Sequence, residues 1–133
     1  QCLLGPTVGG KGKIEARNKT FKAGQILENA GITFGLITDA PFVPIEGQLL
    51  QAALYVKNGL SREMALKCLT INNAIITDID SRVGSLEPGK DADVVIWDVE
   101  PLATLSQVGI VIIDGQIAYR RKAGESNVDY QKL

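Results

Sequence analysis

Ile32-Thr33-Phe34-Gly35-Leu36-Ile37-Thr38-Asp39 is the segment from which the architecture of the chain follows. It is a short, nearly continuous apolar run that ends in one carboxylate, and Ala40-Pro41 then stops it. An apolar run without alternation is the pattern of a strand covered on both faces, as in a parallel sheet. In barrels built of such strands, polar residues at the C-terminal strand ends sit where chemistry is done. Asp39 is therefore the leading candidate for a functional side chain. The residues themselves leave two assignments open for it. One is a metal ligand or general base at a strand end; the other is an aspartate that begins a turn and hydrogen-bonds its own backbone. Thr38 beside it either supports that carboxylate or is a plain strand residue. The chain contains no histidine, so a metal site that included Asp39 would draw most of its ligands from outside these residues.

Working outward, the pattern predicts a helix over 20–29, with Thr20 as N-cap, Gly31 ending it, and Ile26, Leu27 and Ala30 as its apolar stripe. The strand, read as 33–38, follows after a very short connection, as in an αβ unit. Pro41 and Pro44 mark an irregular loop. A second helix is expected over 47–58, with Leu49, Leu50, Ala53, Leu54 and Val56 apolar and Asn58-Gly59 as its stop signal. Ser61 caps a third helix over 62–69, and Glu63 in its first turn suits the helix dipole. Thr70 caps a short fourth one reaching about residue 77. Upstream, residues 1–8 read as the tail of a strand running into a loop. Gly9-Gly10-Lys11-Gly12-Lys13 is a basic, glycine-rich loop that lacks the Gly-Lys-Ser/Thr ending of a phosphate-binding loop.

Beyond about residue 80 the period changes. Glu87-Pro88-Gly89-Lys90 fits a type II turn, with proline and glycine at its two central positions. Residues 93–98, with Val94, Val95, Ile96 and Trp97, read as a buried strand. A further strand is expected over 108–113, and Asp114-Gly115 is a strong hairpin signal leading into 116–119. The tail after Arg120 is polar and expected to fray. The chain thus divides into an α/β piece, 1–80, and a small antiparallel β piece, 81–133.

Composition bounds the function. Of 133 residues, 45% are hydrophobic, enough for a core, and 14 basic against 15 acidic side chains leave a net charge of −1. That balance gives no electrostatic footprint for nucleic acid or an anionic membrane. No apolar stretch approaches the roughly 20 residues that span a bilayer, and residues 1–6 lack the features of a signal peptide. Cys2 and Cys68 fit no zinc or redox spacing and read as two buried, reduced thiols of a cytoplasmic protein, with a disulfide as the alternative. The chain starts without methionine inside an apolar stretch, which reads as a cut within an element.

Other polar residues have ordinary explanations. Glu15 and Arg17, near Lys11, Lys13 and Lys19, read as solvated, with contact to a substrate carboxylate as the alternative. Asp91 and Asp93 read as turn caps, with cation binding as the alternative. Trp97 reads as core, and Glu46 is explained by the dipole of the helix it precedes. Without histidine, Ser-His-Asp and Cys-His nucleophile systems are excluded. No Gly-x-Gly-x-x-Gly motif supports dinucleotide binding.

Three segments together resemble a known family: Gly-Leu-Ile-Thr-Asp-Ala-Pro (35–41), Ala-Leu-Lys-Cys-Leu-Thr-Ile-Asn-Asn-Ala (65–74) and Val-Gly-Ser-Leu-Glu-Pro-Gly-Lys-Asp-Ala-Asp-Val-Val-Ile-Trp-Asp (83–98). They resemble the C-terminal part of metal-dependent amidohydrolases, in the imidazolonepropionase-like and prolidase-like branch. The likeness runs from about Leu4 to Tyr119. It implies an α/β fold: a C-terminal fragment of a (β/α)8 TIM barrel followed by part of a small β-sandwich domain. It implies one or two divalent metals, usually zinc, held mainly by histidines outside this chain. It also implies that Asp39 matches the aspartate ending the eighth strand, as metal ligand and proton-handling base. Ala40 stands where many relatives carry a histidine. The expected activity is hydrolysis of an amide, peptide or cyclic amide bond in a small-molecule or peptide substrate. The chain alone is expected to be inactive, and to self-associate or to pair with a missing N-terminal part. The rival reading is a stand-alone interaction module with an apolar groove, favoured by the lack of metal ligands.

Overall fold

The computed structural model describes residues 1–9 and 14–122. The chain forms two compact units, the first comprising residues 1–85 and the second beginning at Leu86. Residues 10–13 of the loop expected over 9–13, and the part beyond residue 122 of the tail expected after Arg120, lie outside the described residues.

In the first unit, β1 (Cys2–Leu4) and β2 (Phe34–Leu36) are accompanied by a 3-10 turn (Ile14–Ala16) and four helices. These are α1 (Lys22–Asn29), α2 (Gly47–Lys57), α3 (Arg62–Leu69) and α4 (Ile71–Ile76). The two strands pair in parallel, with Cys2 opposite Phe34 and Leu4 opposite Leu36. All three β2 residues are buried. Because successive side chains of a strand point to opposite faces, both faces are covered.

Regular pairing is shorter than the expected 33–38. It is framed by hydrogen bonds from Cys2 N to Thr33 O (3.3 Å) and from Ile37 N to Leu4 O (3.1 Å). Alternate residues of a parallel strand turn their backbone groups to opposite edges, so Phe34 and Leu36 face away from β1. Side chains from three helices hold their carbonyls. Asn72 Nδ2 (2.9 Å) and Cys68 Sγ (3.1 Å) donate to Phe34 O. Gln48 Nε2 (2.7 Å) and Asn73 Nδ2 (3.1 Å) donate to Leu36 O. The helices are thus bonded to the strand as well as packed on it. Phe34, Leu36, Ala52, Tyr55, Leu60, Ala65 and Cys68 form the core.

Helix α3 begins as its sequence dictates: Ser61 Oγ accepts from Met64 N at 3.1 Å. Thr70 precedes α4 but does not cap it through its side chain, because its hydroxyl donates back to Leu66 O at 2.8 Å. Thr20 does not cap α1 either; Phe21 is the residue before the helix, and Thr20 Oγ1 accepts from Lys22 N at 3.2 Å.

Two helix faces differ from expectation. In α1 the buried residue is Gly24, while Ile26 is 61% exposed. The cause is close approach to α2: a Cβ on residue 24 would stand 2.9 Å from Tyr55 Cδ1. Phe21 packs edge-on against the same ring, with centroids 5.2 Å apart. In α2 the buried side chains are Gln51, Ala52 and Tyr55, while Leu50 is 56% exposed. The inward face is chosen by polar partners on the sheet side rather than by apolar count.

The second unit is an antiparallel sheet of β3 (Val94–Trp97), β4 (Val108–Ile113) and β5 (Gln116–Arg120), in that order. The turn at Glu87-Pro88-Gly89-Lys90 closes through Lys90 N to Glu87 O at 3.2 Å, with Gly89 at φ +91°, as a type II turn requires. Asp114 (φ +50°) and Gly115 (φ +75°) make the left-handed pair of a type I′ hairpin turn. The expected burial of β3 is not met: Val95 is 48% and Ile96 45% exposed, and Trp97 is half-buried. No described residue of this unit is buried. A three-stranded sheet has two faces to cover and needs a second layer to do so.

Candidate functional site

The exits of β1 and β2 lie at the same end of their parallel pair, and Asp39 stands three residues beyond the end of β2. It is exposed and left-handed, at φ +53°. Aspartate is among the few residues that adopt this conformation at modest cost, and Asp78 and Asp114 also do so. Asp39 does begin a turn, closed by Phe42 N donating to Asp39 O at 2.9 Å. That closure uses the backbone carbonyl. Among the described residues the carboxylate has no hydrogen bond or ion pair, so it is not consumed in capping its own turn. Thr38 is buried at 5% exposure, and no hydrogen bond joins its hydroxyl to that carboxylate.

Beneath the two exits lies a polar cluster that sequence reasoning missed. Gln51, fully buried, accepts from Thr7 N at 2.7 Å and donates through Nε2 to Ile37 O at 3.0 Å. Gln48, on the same face of α2, holds Leu36 O. Tyr55, one turn further, shares a hydrogen bond between its hydroxyl and Thr7 Oγ1. Burial pushes the Tyr55 phenol above its ordinary range, and the Thr7 bond offsets this in part. The signal in the sequence was the spacing 48, 51, 55, a polar stripe down one face of a helix.

The remaining candidates are placed elsewhere. Glu15 and Arg17 are exposed, at and just after the 3-10 turn. Glu46 precedes α2 and makes no side-chain cap bond. Asp91 and Asp93 belong to the second unit, where Asp93 Oδ1 accepts from Asp114 N at 2.8 Å and ties the hairpin turn to β3. Both cysteines are free thiols, but only Cys68 is buried as expected; Cys2, at the start of β1, is exposed. Burial pushes the Cys68 thiol up to about 12, so it stays protonated and is no nucleophile.

As to a metal, a carboxylate oxygen such as that of Asp39 suits a divalent ion as one ligand. Among the described residues, no group of three or more His, Cys, Asp or Glu is placed to hold one. The donor set is therefore not completed by these residues.

Comparison with known proteins finds relatives of the chain. The amidohydrolase family profile matches residues 13–118. An amidohydrolase from Thermotoga maritima MSB8 superposes with a TM-score of 0.85 at 38% identity, covering 90% of this chain and 31% of that one. Amidohydrolase tasK of Hapsidospora irregularis is 34% identical over 103 residues, 77% of this chain and 10% of that protein. An imidazolonepropionase of Shewanella baltica (strain OS185) is 35% identical over 86 residues, 61% of this chain and 21% of that protein. The chain spans about a tenth to a third of the length of these relatives. With a family profile covering most of its length and an amidohydrolase structure superposing on nine-tenths of it, the chain belongs to the amidohydrolase family.

Proposed function

We propose that this chain is the C-terminal portion of a metal-dependent amidohydrolase that cleaves an amide, peptide or cyclic amide C–N bond. In this reading residues 1–80 are the last strand-helix units of a (β/α)8 barrel, and residues 81–133 are its share of a small β-sandwich. One observation carries it: a carboxylate without partners among the described residues, just past the C-terminal end of a parallel strand buried on both faces, in a member of this family. That is the place from which barrels of this architecture work.

Asp39 would be one oxygen ligand of a divalent metal, zinc by preference, with the other ligands outside the described residues. When bound, such a metal lowers the pKa of a water molecule towards about 7. Asp39 takes the proton of the water as its oxygen forms the bond to the carbonyl carbon, and returns that proton to the departing nitrogen as the C–N bond breaks. The products are a carboxylic acid and an amine, which at neutral pH become a carboxylate and an ammonium ion by transfer of the remaining proton. The lone carboxylate cannot supply the missing ligands, so the 133-residue chain by itself should not hydrolyse amides. We place the enzyme in the cytoplasm, acting on a small molecule or peptide. No helix among the described residues is long and apolar enough to cross a membrane.

The test is Asp39→Asn in the full-length enzyme that carries this chain. Loss of the base and of one ligand should lower kcat by about 10³-fold or more, with an unchanged circular dichroism spectrum. A wild-type rate would remove Asp39 from the chemistry.

A further inference from the structure

We infer that Gln51 is a positioning residue: its buried amide fixes the exit of β1 to the exit of β2 and so sets where Asp39 stands. The inference rests on the catalytic reading of Asp39 above.

A buried amide is costly unless both of its ends are bonded, and a leucine would fill the same space without that demand. Gln51 is 0% exposed, and it spends its two ends on two different segments. Oε1 accepts from Thr7 N at 2.7 Å, with Val8 N at 3.5 Å, just after β1. Nε2 donates to Ile37 O at 3.0 Å, just after β2. The last backbone bond between the segments is Ile37 N to Leu4 O. Beyond it, among the described residues, the hydrogen bonds joining the two exits all pass through this one side chain. Asp39 lies two residues past Ile37, and buried Thr38 is the only residue between them.

Two further contacts show that the chain is built around this amide. Gly5 sits at φ +134°, and a Cβ there would stand 2.2 Å from Ile37 O and 3.1 Å from Gln51 Nε2. The β1 exit thus passes at backbone distance from the carbonyl that Gln51 holds. Tyr55, one turn along α2, bonds Thr7 Oγ1 and steadies the same residue from its side chain. The amide couples the exits, and the exits carry the base.

The experiment compares Gln51→Met, Gln51→Glu and Asp39→Asn in the full-length enzyme. Methionine keeps the volume and removes both bonds. A small displacement of a catalytic group can cost up to about 100-fold, so kcat should fall ~10- to 100-fold, with KM little changed. Glutamate distinguishes positioning from packing. Its neutral carboxyl keeps one donor and one acceptor, whereas its ionised form accepts only. Read as a ratio to the wild-type rate at each pH, Gln51→Glu should approach one at low pH and fall as the buried carboxyl ionises. That limb is absent from the wild type. Should the methionine variant not fold, the pH ratio of the glutamate variant decides alone. A flat ratio near one would overturn the inference, as would Gln51→Met with wild-type kcat beside an inactive Asp39→Asn. An active Asp39→Asn would instead withdraw the reading on which the inference rests.

Discussion

The two units use apolar strands in opposite ways. In the first, a strand of only three residues is fully buried, because α3 and α4 pack on it and side-chain donors from α2, α3 and α4 occupy its outward carbonyls. In the second, three longer strands, the first two rich in valine and isoleucine, contain no buried residue. Apolar content of a strand therefore does not decide burial; the layers available to cover it do. What holds the second unit is its turn chemistry and ladder: the left-handed pair Asp114-Gly115, the Asp93 bond to that turn, and the Asp98 tie to Gln107 and Arg121.

The contrast is broken or sharpened most strongly by truncation. Phe34→Ala removes a buried ring from the first unit and should cost about 3–5 kcal/mol. Val95→Ala on the open sheet should stay within about 1 kcal/mol. Denaturant unfolding of each variant checks this, and equal losses would mean that the second unit has a core after all. Next comes thiol chemistry. Cys68, pushed up to about 12 by burial, should resist alkylation near pH 8, at which exposed Cys2 reacts. The sign for stability follows from the same shift. The folded chain keeps this thiol protonated, so the contribution is intact below the ordinary thiol range and is lost as pH rises towards about 12. Cys68→Ser should flatten that alkaline loss. Labelling of both cysteines at equal rates would place Cys68 outside the core.

The smallest expected effect is in the second unit. The backbone N–H of Gln107, and then the Arg121 guanidinium, hold the Asp98 carboxyl below its usual range. A depressed carboxyl contributes above its unfolded pKa, and that contribution is lost as pH falls through the folded one. Acidification should thus loosen the β3–β4 connection. Asp98→Asn should remove this acid step, read from amide exchange at Asp98 and Gln107. An acid response unchanged by the substitution would assign it to other groups.

Much of the fold was legible because local chemistry spells it out. Ser61 and Asn58-Gly59 bounded helices correctly, and Asp114-Gly115 announced its hairpin. The unbroken run at 32–39 pointed to a parallel strand covered on both faces. Where reading failed, distance in sequence was the reason. The inward face of α2 is set by Thr7 and Ile37, 44 and 14 residues away from Gln51, and an apolar count cannot see such partners. Glycine lowers helix propensity, yet Gly24 is the contact point of α1, because Tyr55 arrives from another helix. Asp39 could be located from its strand, but its left-handed backbone is a tertiary fact. The open faces of the second sheet were equally hidden, since Val-Val-Ile-Trp reads as core wherever it occurs.

The bare backbone of residue 24 has a reach beyond its own helix. It leaves room for the Tyr55 ring, and an aromatic ring is a rigid lever whose far end carries the hydroxyl bonded to Thr7. A methyl group added at residue 24 would press on the near end of that lever, and the shift would be delivered to residue 7. Drift in an outlying helix is therefore policed from the mouth of the first strand.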